Sequence, residues 1–268
     1  MITFRLFMPL AILVLSGCAS TSAYHNPQDP LEPLNRSVYR FNDTVDRAVL
    51  KPVAKGYNAV MPTGGKIMVR NFFSNLDDFL VTMNDLLQFK LRQAFSDGGR
   101  VLINSTVGAF GLVDVASATG YPKHDEDFGQ TLGVWGFGSG PYLVLPIFGP
   151  SSFRDGIGLY VDGQESRITN LKDMRTRNQL YLAEGVTTRA DLLNQEKMLD
   201  QAVLDRYSFI RDAYLMHRQS LVYDGNPPRP KYDDEDDEDD GAAPSAPATQ
   251  NKAVPGPSSG NAPAAPAQ

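Results

Sequence analysis

Apolar residues fall at Leu34, Val38, Phe41, Val45 and Ala48, spaced four, three, four and three, while Arg36, Arg40, Asp43 and Arg47 mostly occupy other faces. That is the period of an amphipathic helix. Ahead of it, Asp29 supplies a cap, Pro30 suits the first helical position, and Glu32 sits three residues after the cap. Pro52 predicts where the helix ends. From Pro62 the period recurs through Ile67, Phe72, Leu76, Phe79, Leu80, Met83 and Leu87. Another helix is predicted from Lys90 to Val107, carrying Leu91, Phe95, Leu102 and Ile103, with Gly108 as its C-cap. These two predict a helical hairpin. Later, Thr187 or Thr188 offers a cap before Leu192 and Leu193; after a polar break, Leu199, Val203, Tyr207, Ile210, Tyr214 and Leu221 continue a helix. The apolar stripes are broad and rich in Phe, Leu and Met, a pattern whose usual meaning is a packed core.

No segment alternates strictly over more than a few residues. The predicted fold is therefore mainly α, with one long Gly/Pro-rich irregular insert from about Gly108 to Gly163. Within that insert lies GVWGFGSGPYLVLPIFGPSS, residues 133–152, where glycines and prolines interrupt aromatics and aliphatics. So apolar an irregular segment is rarely left in water. It is either a buried connection or a segment entering a membrane interface, where Trp and Tyr are favoured.

The chain ends narrow the class. MITFRLFMPLAILVLSGCAS places Arg5 before an apolar run from Leu6 to Leu15 and then small residues, the order of a secretory signal. Leu15-Ser16-Gly17-Cys18 matches the bacterial lipobox, so residues 1–17 are read as a signal peptide, Cys18 as the lipidated residue and 18–28 as a linker. Cys18 is the sole cysteine, so no intrachain disulfide can form. Attachment by two or three acyl chains is firm where one chain is not. Ala19 is not the aspartate that by general bacterial rules retains lipoproteins at the inner membrane, so the outer membrane, facing the periplasm, is expected. At the other end, the acidic tract Asp233–Asp240 precedes a Pro/Ala/Ser/Gly-rich run to Gln268, and residues 224–268 read as a disordered tail. That tract accounts for the net charge of −6, and the remainder is close to balance. No basic patch interleaved with aromatics is present, so nucleic acid is not an expected partner.

Enzyme signatures fail one by one. Gly136-Phe137-Gly138-Ser139-Gly140 has the wrong spacing for a dinucleotide fingerprint, no Gly-Lys-(Ser/Thr) occurs, and Ser139 is not centred in Gly-x-Ser-x-Gly. His25, His124 and His217 are scattered, and neither metal nor cofactor is expected. His124-Asp125-Glu126-Asp127 reads as a solvated loop. Arg154-Asp155 reads as a structural pair at a turn, and Asp205-Arg206 and Arg211-Asp212 read as helix-surface charge pairing. No catalytic constellation emerges, and the expectation is a protein that is not an enzyme.

Together DPLEPLNRSVYRFN, EDFGQTLGVWGFGSGPYLVLPIFGPSSFRD, TRADLL and RYSFIRDAY, in this order, resemble the VacJ/MlaA family of outer-membrane lipoproteins, over a helical domain taken as residues 29–223. The resemblance implies a ring of amphipathic helices in the inner leaflet of the outer membrane around a pore. Through it, misplaced phospholipids pass from the outer leaflet to a periplasmic lipid carrier, while trimeric porins hold the ring. It further implies that Asn35, Arg36, Phe41 and Asn42 lie on the N-terminal helix that sets the pore. Gly133, Gly136, Gly138, Gly140 and Pro141 would shape a pore-side loop, and Tyr207, Arg211 and Tyr214 would lie on a C-terminal helix near the carrier. The bland alternative for each group is packing. Asn42, Asn104 and Ser105 are candidates for a polar headgroup track. The stretch Glu165 to Gln179 is more polar than a helix lying in lipid calls for. Two other functions compete: a structural lipoprotein that scaffolds a porin or an envelope complex, and a lipid-modifying hydrolase, for which no nucleophile and base are visible.

Overall fold

The computed structural model describes residues 26–228; the signal segment, Cys18 and the acidic tract lie outside the described residues. Helix α1 (Glu32–Val45) passes through a π turn (Asp46–Leu50) directly into α2 (Lys51–Val60). Pro52 therefore does not end the helix. The wide turn, in which the Lys51 N–H donates to the Asp46 carbonyl, supplies the slack that a proline's missing donor and bulky ring require. Asp29 is not the cap either: Leu31 occupies that position, with no side-chain bond.

Helices α3 (Thr63–Leu87) and α4 (Leu91–Thr106) pack as the predicted hairpin. Gly108 follows α4 without left-handed geometry, which belongs instead to Ala109, Phe110 and Gly111. Glycine is required at 108 because a Cβ there would run into the Val113 carbonyl oxygen.

The Gly/Pro-rich insert proves more ordered than its composition suggests. It holds α5 (Val115–Ala118), α6 (Phe128–Val134), a hairpin of β1 (Tyr142–Leu145) and β2 (Gly149–Ser152), and most of α7 (Phe153–Glu165). The strands are antiparallel, with Tyr142 opposite Ser152 and Leu145 opposite Gly149. Asp114, Asp127 and Ser152 cap the three helices, each side chain accepting from the main chain three residues on. Helix α8 (Met174–Ala202) starts at an Asp173 cap, well before the expected threonines; Thr187 is mid-helix, with its hydroxyl returned to the Ala183 carbonyl at 2.8 Å. Val203 is extended, so the last helical segment does not continue but restarts as α9 (Arg206–Val222) behind an Asp205 cap. Residues 166–173, inside the polar 165–179 stretch, are a turn-rich connection rather than helix.

Contacts between elements run α1 to β1, β1 to β2, β2 to α7, α7 to α6, α6 to α3, α3 to α8, and α8 to α2, which is continuous with α1. The circuit closes on itself. Helix α9 lies against α6 and β2, and α4 against α3. Among the described residues, no single apolar core fills this arrangement. One small cluster joins Ala54, Ala190 and Leu193; another joins Tyr142, Val144 and Tyr207.

The distribution of polarity is the reverse of the ordinary one. Buried positions include Asp78, Asp85, Asp97, Arg100, Asn84 and Asn104, all on α3 and α4. Meanwhile Phe89, Phe95 and Phe110 are each more than 80% exposed. The broad stripes thus do not mean a packed core. On α3 and α4 the polar residues face inward and many of the apolar ones face out.

Candidate functional site

Helix α1 carries two asparagines seven residues apart, and both act on one strand. The Asn35 carboxamide donates to the Tyr142 carbonyl at 3.0 Å and accepts from the Val144 N–H at 2.9 Å. Asn42 donates to the Leu145 carbonyl at 2.9 Å and accepts from the Ile147 N–H at 2.8 Å. Each mimics the donor and acceptor of a neighbouring strand. The register works because two helical turns rise about 10.5 Å and three strand residues about 10 Å. Ile147, at the hairpin tip, has a φ of 72°, uncommon for a β-branched residue, and the bond to Asn42 helps hold it there. Phe41 is 52% exposed and does not join the apolar cluster beneath α1.

Asn35 also donates to Asp29 at 2.8 Å, and Asp29 takes the Tyr207 hydroxyl at 2.5 Å and faces Arg211 at 3.5 Å. Asp29, Tyr207 and Arg211 are all buried. Desolvation, then the Asp29 carboxylate, drives the Tyr207 phenol far above its usual range. Arg36 stacks over the Tyr207 ring at 4.2 Å and bonds Asp205, the cap of α9, at 2.8 Å. That hydrogen bond comes first among the causes that hold the Asp205 carboxyl well below the ordinary range. Asn35 and Arg36 of the first expected group and Tyr207 and Arg211 of the third thus form one joint between α1, the hairpin and α9, in which the glycines take no part. Asp29, read from sequence as a cap, is its hub.

Lower on α9, Tyr214 is half-buried and donates to Asp155 at 2.8 Å, while Arg218 bridges Asp155 at 3.0 Å and Asp127 at 2.5 Å. Burial would raise both carboxyls, but Arg218 holds each below its usual value. Arg154 bonds Asp155 at 2.8 Å, the structural pairing expected of them. The sequence-adjacent charges have parted roles: Asp205 caps α9 and pairs with Arg36, whereas Arg206 reaches Glu196.

Between these two layers runs the glycine loop. Gly133 sits in α6, where a Cβ would press on Val222 and Arg154; Gly136 and Gly140 have φ of 93° and 67°, and Gly138 is open. The Pro141 carbonyl accepts from Phe153 N–H at 3.1 Å. With α9 the loop borders a cleft of about 610 Å³ that also includes Phe137, Ser139 and Met216.

Inside the circuit, a cavity of about 350 Å³ opens between α3, α6, α8 and α9. Asp77 is accessible within it, yet the surrounding protein desolvates its carboxyl and, with Glu184 nearby, pushes it up to about 7. The presumed solvated loop at 124–127 is instead built in. His124 bonds Asp97 at 2.7 Å, and buried Glu126 accepts from Gln88, Lys90 and Gln93. Asn104 and Ser105 are likewise engaged, with Asp114 and Asn75 respectively. Between α3 and α4, neither Asp85 oxygen has a partner among the described residues, nor do Asp97 Oδ1 and Gln88 Oε1. Desolvation, then Asp97, raises the Asp85 carboxyl strongly. Sequence reading passed over these acids because charges in a helix usually mark the wet face. The signal was there in Asp78 and Asp85, seven apart and bounded by apolar residues.

A closed circuit of elements, with acids and asparagines buried between α3 and α4 and aromatic rings exposed, is a form shared with known proteins. The sequence profile described as MlaA lipoprotein matches residues 27–221. The chain belongs to the MlaA lipoprotein family. It is 33% identical over 230 residues to the protein named intermembrane phospholipid transport system lipoprotein MlaA of Escherichia coli K12, covering 84% of this chain and 90% of that one. The Haemophilus influenzae protein of that name is 33% identical over 223 residues, covering 81% and 89%. A solved structure described as giving the structural basis for maintenance of bacterial outer membrane lipid asymmetry superposes with a TM-score of 0.65 at 30% identity, covering 72% of this chain and 98% of that chain. Among the described residues of this MlaA-family chain, no helix is long and apolar enough to cross a membrane, and no group of His, Cys, Asp or Glu is arranged to hold a metal ion.

Proposed function

We propose that this protein is a passive conduit of the outer membrane. It lets phospholipids misplaced in the outer leaflet move inward and passes them to a periplasmic lipid carrier, with no reaction of its own. The observation that carries this reading is the reversed polarity of a closed helical circuit. Exposed Phe89, Phe95 and Phe110 suit acyl chains, while acids and asparagines are buried between α3 and α4. Family membership and the names of its relatives point the same way. Because no described helix can span a bilayer, the body is taken to lie in one leaflet, anchored through acylated Cys18 and held by a trimeric porin.

In this reading Asn35, Arg36 and Asn42 set the conduit by holding the hairpin, Phe41 faces lipid, and Gly133, Gly136, Gly138, Gly140 and Pro141 shape the loop beside it. Tyr207, Arg211 and Tyr214 fix α9, whose exposed side, with Phe209 and Met216, faces the carrier. The test is surface-exposed phospholipid in a strain lacking the protein, with wild-type and Cys18→Ala copies restored separately. A rise on deletion that only the wild-type copy reverses supports a lipidated conduit. An unchanged surface with altered porin level or envelope integrity replaces it with a scaffold.

A further inference from the structure

The stretch 165–179, more polar than a helix lying in lipid calls for, carries an ordered set of charges. Four cations, Arg167, Lys172, Arg175 and Arg177, stand there against two carboxylates, Glu165 and Asp173. Asp173 is engaged within its own helix, where it caps α8 by accepting from the Thr176 N–H at 2.8 Å. The side chains of Lys172, Arg175 and Arg177 make no hydrogen bond or ion pair among the described residues. By contrast, Arg36, Arg100, Arg189 and Arg218 each hold a carboxylate. The connection that leads to these cations is anchored: Ile168 is buried, the Thr169 hydroxyl bonds the Gly163 carbonyl, and the Arg167 guanidinium stacks 3.6 Å over the Phe79 ring of α3. Three unpaired cations are thus displayed from a fixed turn.

A second observation comes from the helix that precedes it. On α7, Phe153, Ile157 and Tyr160 follow at intervals of four and three, and all are exposed, Tyr160 by 69%. They form one stripe about 10.5 Å long, and exposed Gln164 continues it. Polarity therefore changes along the axis of one helix face: apolar for two turns, a tyrosine at the boundary, an amide, and then the cations. Exposed Leu171 and Met174 stand among those cations, Met174 by 64%. Tyrosine at the edge of an apolar band, with Lys and Arg just beyond it, is the order of a surface that passes from acyl chains to headgroups. Water alone would leave Phe153 and Ile157 uncovered, and acyl chains alone would leave three cations without counter-charge.

We propose that residues 171–177 are a headgroup collar: Lys172, Arg175 and Arg177 bind the phosphates of anionic lipids in the leaflet that holds the body, while the α7 stripe lies among the acyl chains. This step in polarity fixes how deep the body sits. The proposal rests on the leaflet placement in the conduit reading, and adds to it a depth and a lipid class at this edge. Anionic lipids are favoured because a headgroup of balanced charge offers no net counter-charge to three unpaired cations. Two of the three are arginines, whose planar fork takes two phosphate oxygens at once.

The test uses the full-length lipidated protein carrying Met174→Cys or Ile157→Cys, labelled with bimane and reconstituted into phosphatidylcholine vesicles. Cys18 is the sole native cysteine and is acylated in the conduit reading, so each variant has one free thiol. The vesicles are doped with phosphatidylglycerol or phosphatidylcholine bearing a nitroxide either near the headgroup or at mid-chain. The 174 label should be quenched more by the shallow nitroxide, and the 157 label more by the deep one. Shallow phosphatidylglycerol should quench the 174 label about threefold better than shallow phosphatidylcholine. Adding Lys172→Gln, Arg175→Gln and Arg177→Gln together should bring that ratio near one while quenching of the 157 label persists. These side chains hold no structural partner, and the depth test stands without the triple variant. A 174 label reached by neither nitroxide, or more by the deep one, with the 157 label still quenched, overturns the collar and spares the leaflet placement. Equal quenching by the two lipid classes, or a ratio that the triple variant leaves unchanged, overturns the binding of anionic lipid by these cations. If neither label is quenched, the leaflet placement falls and the collar with it.

Discussion

Replacing Asn35 by alanine removes a donor and an acceptor from a joint that has no other source for them. Three bonds vanish: those to the Asp29 carboxylate, the Tyr142 carbonyl and the Val144 N–H. Asn35 is 1% exposed, so water does not readily take its place. Leaving a buried group unsatisfied costs about 1–3 kcal/mol, more for a charged one. Two main-chain groups and part of a carboxylate sum to about 3–5 kcal/mol, allowing for partial relaxation. For a domain of this size each kcal/mol lowers Tm by about 2–4 °C, so thermal unfolding followed by circular dichroism in detergent should shift down by about 6–20 °C. Asn35→Asp is the sharper probe. It keeps shape and the acceptor for Val144, yet sets a second carboxylate beside Asp29 and against a carbonyl oxygen, so it should do no better than alanine. If either variant melts within 2 °C of wild type, the asparagine does not hold the hairpin and the joint is misread.

Asp85 and Asp97 face each other with Glu126 close by, opposed by Lys90 and by His124 on Asp97, and desolvation, then Asp97, raises the Asp85 carboxyl to about 8. A raised carboxyl stabilises fully below its ordinary value and loses that contribution as pH rises through the elevated one. Wild-type Tm should therefore fall between acid and mildly basic pH, and Asp85→Asn should flatten the fall; parallel curves refute a raised Asp85 carboxyl. Gly158→Ala sets a Cβ against the Gly129 backbone and should cost about 1–3 kcal/mol in urea unfolding, whereas Gly163→Ala, with open space, should be neutral or stabilising. Arg218→Met removes a cation from Asp127 and from Asp155, which keeps Arg154 and Tyr214, and should destabilise by about 2–3 kcal/mol in the same assay; a loss below about 1 kcal/mol would mean that solvent and the remaining partners already compensate those acids.

Periodicity located the long helices because one face of each differs from the other, whichever solvent that face meets. It could not say which face points in. Phe95 and Leu102 satisfy the same 3.6-residue rule whether they touch a core or lipid, and only the burial of Asp97 and Arg100 decides it. Pro52 misled because a π turn is invisible in a pattern of apolar spacing. The short helices at Val115 and Phe128 were hidden by glycine content, though Asp114 and Asp127 announced them as caps. Asn35 and Asn42 were singled out by resemblance, but their partners lie over a hundred residues away and no local pattern reports such a pairing.

The circuit closes where α1 meets β1, through bonds that span 107 and 109 positions of sequence. Closing so long a loop adds only modestly to the entropy already lost on folding. The seam is thus held by side chains rather than by a continuous strand ladder, so two asparagines decide whether the circuit stays shut.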